Sequence, residues 1–524
     1  MNLRLLYFVF LVLLFNGCKK RDQTVSWNAD FALPLAYGSL SITDLLSDSL
    51  TTTLSNQSVY LNYSNNLYSL ELDSLVKINN PDLSDTFALP FPVAVNFNPG
   101  QLFINQAEEQ QIELNNIEIT EFNMESATLN YTIKSTIEGE VIYEYIINSA
   151  TDEFGNIFTH QVLVPAAQSG QPSIVSGSLT LSNYLWDLTG SSGNNTNTIL
   201  TTINVKVSGN NTSPISVSNQ DTLYIQNNLA SLQLQSARGY FGQDLISVGP
   251  DSSHLDIFNK ITSGSIDISQ LTVDFELING MGTDAQLNIN QLSVTDPTSG
   301  SPINLGHTII GQNININRAY ENGNTIIPSI YSNTFDQNNS NIVNMLEAIP
   351  DQLNYDMQIQ INPLGNVSGH NDFIHKDHPF EVNLDMSMPL DLIANNLTIQ
   401  DTIEINISDT GSINYGSFYL EINNGFPIEG QLILSIENGN SDLISPNIIN
   451  AAIIDMNGLV TGSSPSAHTL DLSAADLDLL KTNKKLILTV IFNTADPNNH
   501  ITIYDHYELD FKISGLFNST VNIP

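Results

Sequence analysis

Apolar and polar residues alternate along most of the chain. Leu271–Leu277 (LTVDFEL) is a sample, with an apolar side chain at every second position. That period puts successive side chains on opposite faces of a strand, one buried and one wet, as antiparallel sheets require. Clusters of Asn, Asp, Gly and Ser break the runs and mark turns. The pattern predicts strands over 199–207, 353–361, 380–384, 485–492 and 507–511, among many others.

The alternation is also self-similar. Leu129–Val141, Val273–Ala285 and Phe418–Gly430 superpose without gaps at offsets of 144 and 145 residues. Each is a strand, a short polar kink, one apolar residue and a second strand. The kink is Asn279-Gly280 in the second copy and Asn424-Gly425 in the third, a tight-turn signal that predicts hairpins. Ser135-Thr136 in the first predicts a looser connection. Between these lies a second pattern that predicts a short helical turn before a strand, at Leu40–Leu46, Leu179–Leu188, Asn341–Pro350 and Leu470–Leu480. Asp or Asn opening these turns is read as the N-cap. The fold class expected is all-β, with tandem antiparallel β-sandwich-like units of about 145 residues and short helical turns. The expected divisions are a signal peptide over 1–17, a tether over 18–26, an N-terminal β unit over 27–120, and three β units over 121–265, 266–410 and 411–524. Whether neighbouring units share sheets is left open by the pattern.

The first residues break the alternation. Arg4 precedes an unbroken apolar run of eleven residues, Leu5–Phe15, too short to span a bilayer as a helix and suited to a secretory signal. Gly17-Cys18 follows, resembling the lipobox at which a cysteine is acylated. Cys18 is the only cysteine in 524 residues, so it has no partner in the chain for a disulfide. The expectation is an exported chain held to a membrane through acylated Cys18.

Removing residues 1–17 takes away one basic residue and no acidic one, so the net charge of −39 becomes −40. Such a surface repels phosphate backbones and excludes a nucleic-acid role. Charged residues are only 13% of the chain, so Asn, Ser, Thr and Gln must cover much of the surface, while 41% hydrophobic content suffices for real cores.

The densest polar cluster is Gly369–Pro379, where His370, Asp372, His375 and His378 offer zinc-type ligands at no familiar spacing. Turn chemistry is the competing reading, because Asp377-His378 and Asp505-His506 stand at equivalent places before strands. Acidic turns such as Asp152–Asn156 admit a structural calcium that the sequence does not place, and no EF-hand pattern is present. No cofactor is expected. No nucleophile elbow, phosphate loop or His-Glu-x-x-His motif occurs, and carboxylates at no particular spacing single out no glycosidase pair. No catalytic residue is therefore expected. Trp186 is expected to pack in a core, and Trp27 to pin the first ordered segment to the first unit.

The lipobox, the head Trp27…Leu33-Pro34-Leu35-Ala36…Leu40–Leu46 and the Asn-rich acidic β body resemble envelope lipoproteins of the Bacteroidota type. The resemblance implies lipidation of Cys18 and placement at the outer membrane, on its periplasmic or cell-surface side. It implies no activity. It also implies O-glycosylation at Asp48-Ser-Leu, Asp73-Ser-Leu, Asp221-Thr-Leu and Asp401-Thr-Ile. The strand–kink–strand is similar to modules of plant stress-type and tubular lipid-binding β proteins, which implies an apolar ligand. Three functions follow as expectations. The first is a non-enzymatic structural, adhesive or binding role through protein or glycan partners. The alternative is a carrier of lipid or another apolar ligand. The third is a polysaccharide-binding or hydrolysing envelope protein.

Overall fold

The structure, a computed structural model, describes residues 25–42, 50–78, 85–88, 90–168, 170–255, 258, 261–323, 325–404, 412–436, 442–456, 458–483 and 485–523. The leader, Cys18, Asp48-Ser49 and residues 43–46 of the first helical-turn pattern lie outside them.

The fold is all-β, antiparallel and sandwich-like, with three short helices among the described residues: Leu72–Leu75, Ile342–Glu347 and Ala474–Asn483. Three strand sets carry it, and they are wired alike. In the first, Glu118–Ser135 lies between Ser173–Asp187 and Thr222–Tyr240. Opposite it, Val141–Thr151 lies between Ile157–Val164 and Thr198–Val207, with Leu102–Gln111 outside the latter. In the second, Thr272–Asn279 lies between Ser329–Asp336 and Phe380–Pro389. Its facing sheet centres on Ala285–Thr295 and Gln352–Ile361, bordered by Leu245–His254. In the third, Ser412–Asn424 lies between Ser464–Leu472 and Glu508–Ile523. Its facing sheet runs Asp442–Ile449, Ile428–Ile436, Lys485–Thr494 and Asp391–Glu404. One continuous core fills the first two sets, and a smaller one, around Ile422, Leu432 and Leu477, fills the third. In the first set the two sheets also join at one edge, where Leu185 and Trp186 pair with Thr151 and Ala150.

The expected hairpins are arches. Glu118–Ser135 and Val141–Thr151 do not pair with each other, nor do Thr272–Asn279 and Ala285–Thr295, nor Ser412–Asn424 and Ile428–Ile436. Each chain crosses from one sheet to the facing one. The Asn side chain at the kink is buried and makes the crossing: Asn279 Nδ2 donates to the carbonyls of Thr283 and Asn317 at 2.8 and 2.9 Å, and its Oδ1 accepts from the Met281 N–H at 3.0 Å. In the first arch Ser135 Oγ accepts from the Ile137 N–H at 3.2 Å in the same place. The glycine that follows serves close approach: a Cβ on Gly280 would lie 2.6 Å from the His378 carbonyl oxygen, and one on Gly425 2.5 Å from that of Glu508.

Two of the three described helical-turn expectations stand, at Ile342–Glu347 and Ala474–Asn483. Their caps differ from expectation. Asn341 makes no cap bond and instead accepts from the Gly306 N–H, while Ser473 and Asp476 close a reciprocal capping box on the longer helix. Leu179–Leu188 is strand, not helix. Asn183, at φ 58°, and Glu125 opposite it both drop out of the pairing between Ser182↔Ser126 and Tyr184↔Met124, with the register kept. At this kink the buried face changes parity, from Leu181 to Trp186 and Leu188, and so breaks the simple alternation.

Residues 27–120 are not a unit. The boundary at 120/121 falls inside the strand Glu118–Ser135, and that at 265/266 inside Ile261–Ile268. Each strand set begins one strand earlier than expected, with Leu102–Gln111, Leu245–His254 and Asp391–Glu404. The N-terminal segment instead serves as a strap. Val25–Ser41 pairs with Glu508–Ile523 of the third set, Val59–Leu70 with Phe380–Pro389 of the second, and Asp85–Ala88 with Thr222–Ile225 of the first. It visits the sets in reverse chain order and lies on the same flank of each. Two further strands cross between sets: Ile261–Ile268 pairs with Asp391–Glu404, and Asp372–His375 with Ser236–Gly239. No helix among the described residues is long and apolar enough to cross a membrane.

Candidate functional site

The crossing at Asp372–His375 gathers several ion pairs. Beyond Arg21 the sequence holds two arginines, Arg238 and Arg318, and both are here. Arg238 rides on Thr222–Tyr240 of the first sandwich. Its Nη2 reaches both carboxylate oxygens of Glu321 at 2.7 Å, and its guanidinium carbon stands 5.6 Å from the centre of the Phe373 ring. Arg318 belongs to the second sandwich. Nη2 meets Asp284 Oδ2 at 2.9 Å and Nη1 meets Asp372 Oδ1 at 3.1 Å. The Asp372 carboxylate is 1% exposed, and Asn362 Nδ2 donates to its other oxygen at 2.9 Å.

Around this centre, Lys376 Nζ pairs with Glu125 at 2.7 Å and Gln235 Nε2 donates to Asp377 at 2.8 Å, each bond running from the second sandwich to the first. Burial alone would raise the Glu321 carboxyl. The bond and charge of Arg238, with help from His375, hold it below the ordinary carboxylate range. Bonds to Asp284 raise the already high pKa of Arg318 against the opposing effect of burial, so the guanidinium stays charged. Each cation at the joint is matched to a carboxylate, so the arrangement fastens one sandwich to the next and presents no free cation to an anionic ligand.

The sequence cluster is dispersed over this joint. His370, in the left-handed region at φ 67°, turns its Nε2 to Glu118 at 2.5 Å. His375 Nε2 stands 3.6 Å from Glu321, Asp372 is taken up by Arg318, and the His378 ring centre is 6.5 Å from that of His375. Among the described residues no three His, Cys, Asp or Glu side chains converge in a metal-binding arrangement. Asp377-His378 and Asp505-His506 both sit in turns before a strand. The Asp152 turn spends its oxygens on itself: Oδ1 accepts from the Phe154 and Asn156 N–H groups at 2.9 and 2.8 Å.

Trp186 is fully buried and stacked on Phe122 at 5.4 Å. Trp27 departs from expectation: it pairs with Val521 of the third set and is 45% exposed. Of the triplet hydroxyl residues, Ser74, Thr222 and Thr402 are exposed. Sequence reasoning missed the arginine joint, although the scarcity of arginine was a usable signal.

No family model matches the chain, and no curated protein matches it. Among solved structures, a proposed secreted protein of Parabacteroides distasonis is similar at 9% identity over 93% of this chain and 99% of its own, with a TM-score of 0.25. The VP2 subviral particle of infectious bursal disease virus is similar at 8% identity over 92% of this chain and 86% of its own, with a TM-score of 0.15. A chain of the lipid-containing bacteriophage PM2 is similar at 8% identity over 82% and 99%, with a TM-score of 0.14. At these scores none of them carries an argument about fold, function or export.

Proposed function

We propose that the chain is an exported lipoprotein of a bacterial envelope, held to the outer membrane through acylated Cys18, in which three repeated sandwiches form a non-enzymatic scaffold for protein or glycan contacts. One observation carries the reading. The strap that begins at Val25, seven residues after Cys18 in sequence, is hydrogen-bonded in turn to every sandwich, so the chain enters the body as a paired strand. The ion pairs Arg238–Glu321 and Lys376–Glu125 support it too, since each is spent on fixing one sandwich against another. Glycosylation of the exposed Thr222 or Thr402 belongs to the same reading.

The test is fractionation with metabolic labelling by an alkyne fatty acid. Wild-type protein is expected in the membrane fraction with label, and Cys18→Ser in the soluble fraction without it. Membrane retention of unlabelled Cys18→Ser, or release of sugars from envelope polysaccharide by residues 22–524, would overturn the reading.

A further inference from the structure

We propose that the Val25 end of the third sandwich is a foot that rests in the head-group and upper acyl region of the membrane. Trp27 and Phe31 lie on the core side of their strand. Phe31 pairs with Phe517, whose ring packs edge-on against Phe418 at the smaller core, that of the third set, at 5.8 Å. Yet Trp27 is 45% and Phe31 44% exposed, so among the described residues the core is not closed over this end. On the opposite face of the same end, Tyr415 is 56% and Leu516 39% exposed. Tyr415 pairs with Asn518, and Leu516 pairs with Ala32. Large side chains from three neighbouring strands therefore show on both faces of one sheet end.

The chain names the occupant. This inference rests on the anchoring of Cys18, nine residues before Trp27, and nine extended residues reach about 30 Å at most. The foot cannot lie far from the bilayer that holds the acyl chains. Lys19, Lys20 and Arg21 occupy that tether, where cations favour a lipid surface that the acidic body would otherwise avoid. Indole and phenol rings, apolar in body and polar at the tip, partition into that interface.

The two tryptophans make the test direct, because Trp186 is fully buried against Phe122 and only Trp27 is open to a quencher. Acylated protein extracted from membranes is reconstituted in phosphatidylcholine vesicles with or without brominated acyl chains. The mass of its N-terminal peptide and its flotation with vesicles are recorded beside tryptophan emission. Brominated lipid is expected to remove the Trp27 emission, down to the level of Trp27→Phe, which itself is not quenched. Acylated protein that floats but is not quenched overturns the foot and leaves the anchor standing. Shielding of Trp27 by a dimer, seen as a blue-shifted, unquenched emission with doubled mass, also overturns it. A protein without acyl groups that does not float overturns both.

Discussion

Asn279 and Asn424 make the same three hydrogen bonds at successive arches. Each donates twice, to a carbonyl four residues on and to one in a neighbouring loop, and accepts from the N–H two residues on. Replacing Asn279 by Ala leaves two carbonyls and one N–H without a partner in a buried place, a loss of about 2–3 kcal/mol. Urea midpoints of Asn279→Ala and Asn424→Ala should fall by similar amounts. An unchanged midpoint would mean that water replaces the amide.

The glycine beside each asparagine gives a sharper contrast. Gly280→Ala drives a Cβ against the backbone at His378, which no rotamer change can relieve, and should cost about 1–3 kcal/mol. Gly209, with nothing within 4 Å of its Cβ position, should accept Ala with no measurable change.

At the joint, Arg318→Ala strands the buried Asp372 carboxylate and should destabilise by about 3 kcal/mol. Glu321 adds a pH signature. Its folded pKa lies below the unfolded one, so its contribution is complete above about pH 4.3 and disappears as pH falls through the folded value. Stability curves of wild type and Glu321→Gln should therefore converge toward low pH and separate at neutrality.

His160 and His468 act in a higher window. Burial lowers both imidazoles from their usual value, and the Nε2 of each finds no hydrogen-bond partner among the described residues. As pH drops below about 6.5 the unfolded chain takes up protons first, so folding weakens on acidification. The double variant His160→Phe with His468→Phe should flatten the fall in urea midpoint between pH 7.5 and 5.5. An equal slope in both proteins would show that other groups govern this range.

Much of the fold was legible because alternation is a local signal. The strands 199–207, 353–361 and 485–492 are present, and the three kinks mark the three crossings. What the kinks join was not legible. Asn-Gly reads as a tight turn from sequence, but only the facing sheet reveals an amide holding an arch. Leu179–Leu188 failed because the kink at Asn183 switches the buried face from Leu181 to Trp186 and Leu188, which broke the period of two. The strap was invisible for another reason: Val25 and Ile523 share no pattern that a window along the chain can detect. At the joint, the histidines drew attention by density, whereas the two arginines that organise it are marked only by their rarity.

The strap also predicts how the molecule fails. A chain lacking residues 22–41 leaves the edge of Glu508–Ile523 unpaired, an invitation to strand addition between molecules. Light scattering should show association of this chain under conditions where residues 22–524 stay monodisperse.

Strand order along the strap dictates an order of assembly. Asp85–Ala88 finds its partner when residue 225 has emerged, Val59–Leu70 only after residue 389, and Val25–Ser41 only after residue 523. The segment made first is thus laid down backwards, one sandwich at a time. Pairings so distant in sequence are slow and leave strand edges open meanwhile. The fold closes last beside Cys18, so the body finishes folding at the point where we place its hold on the membrane.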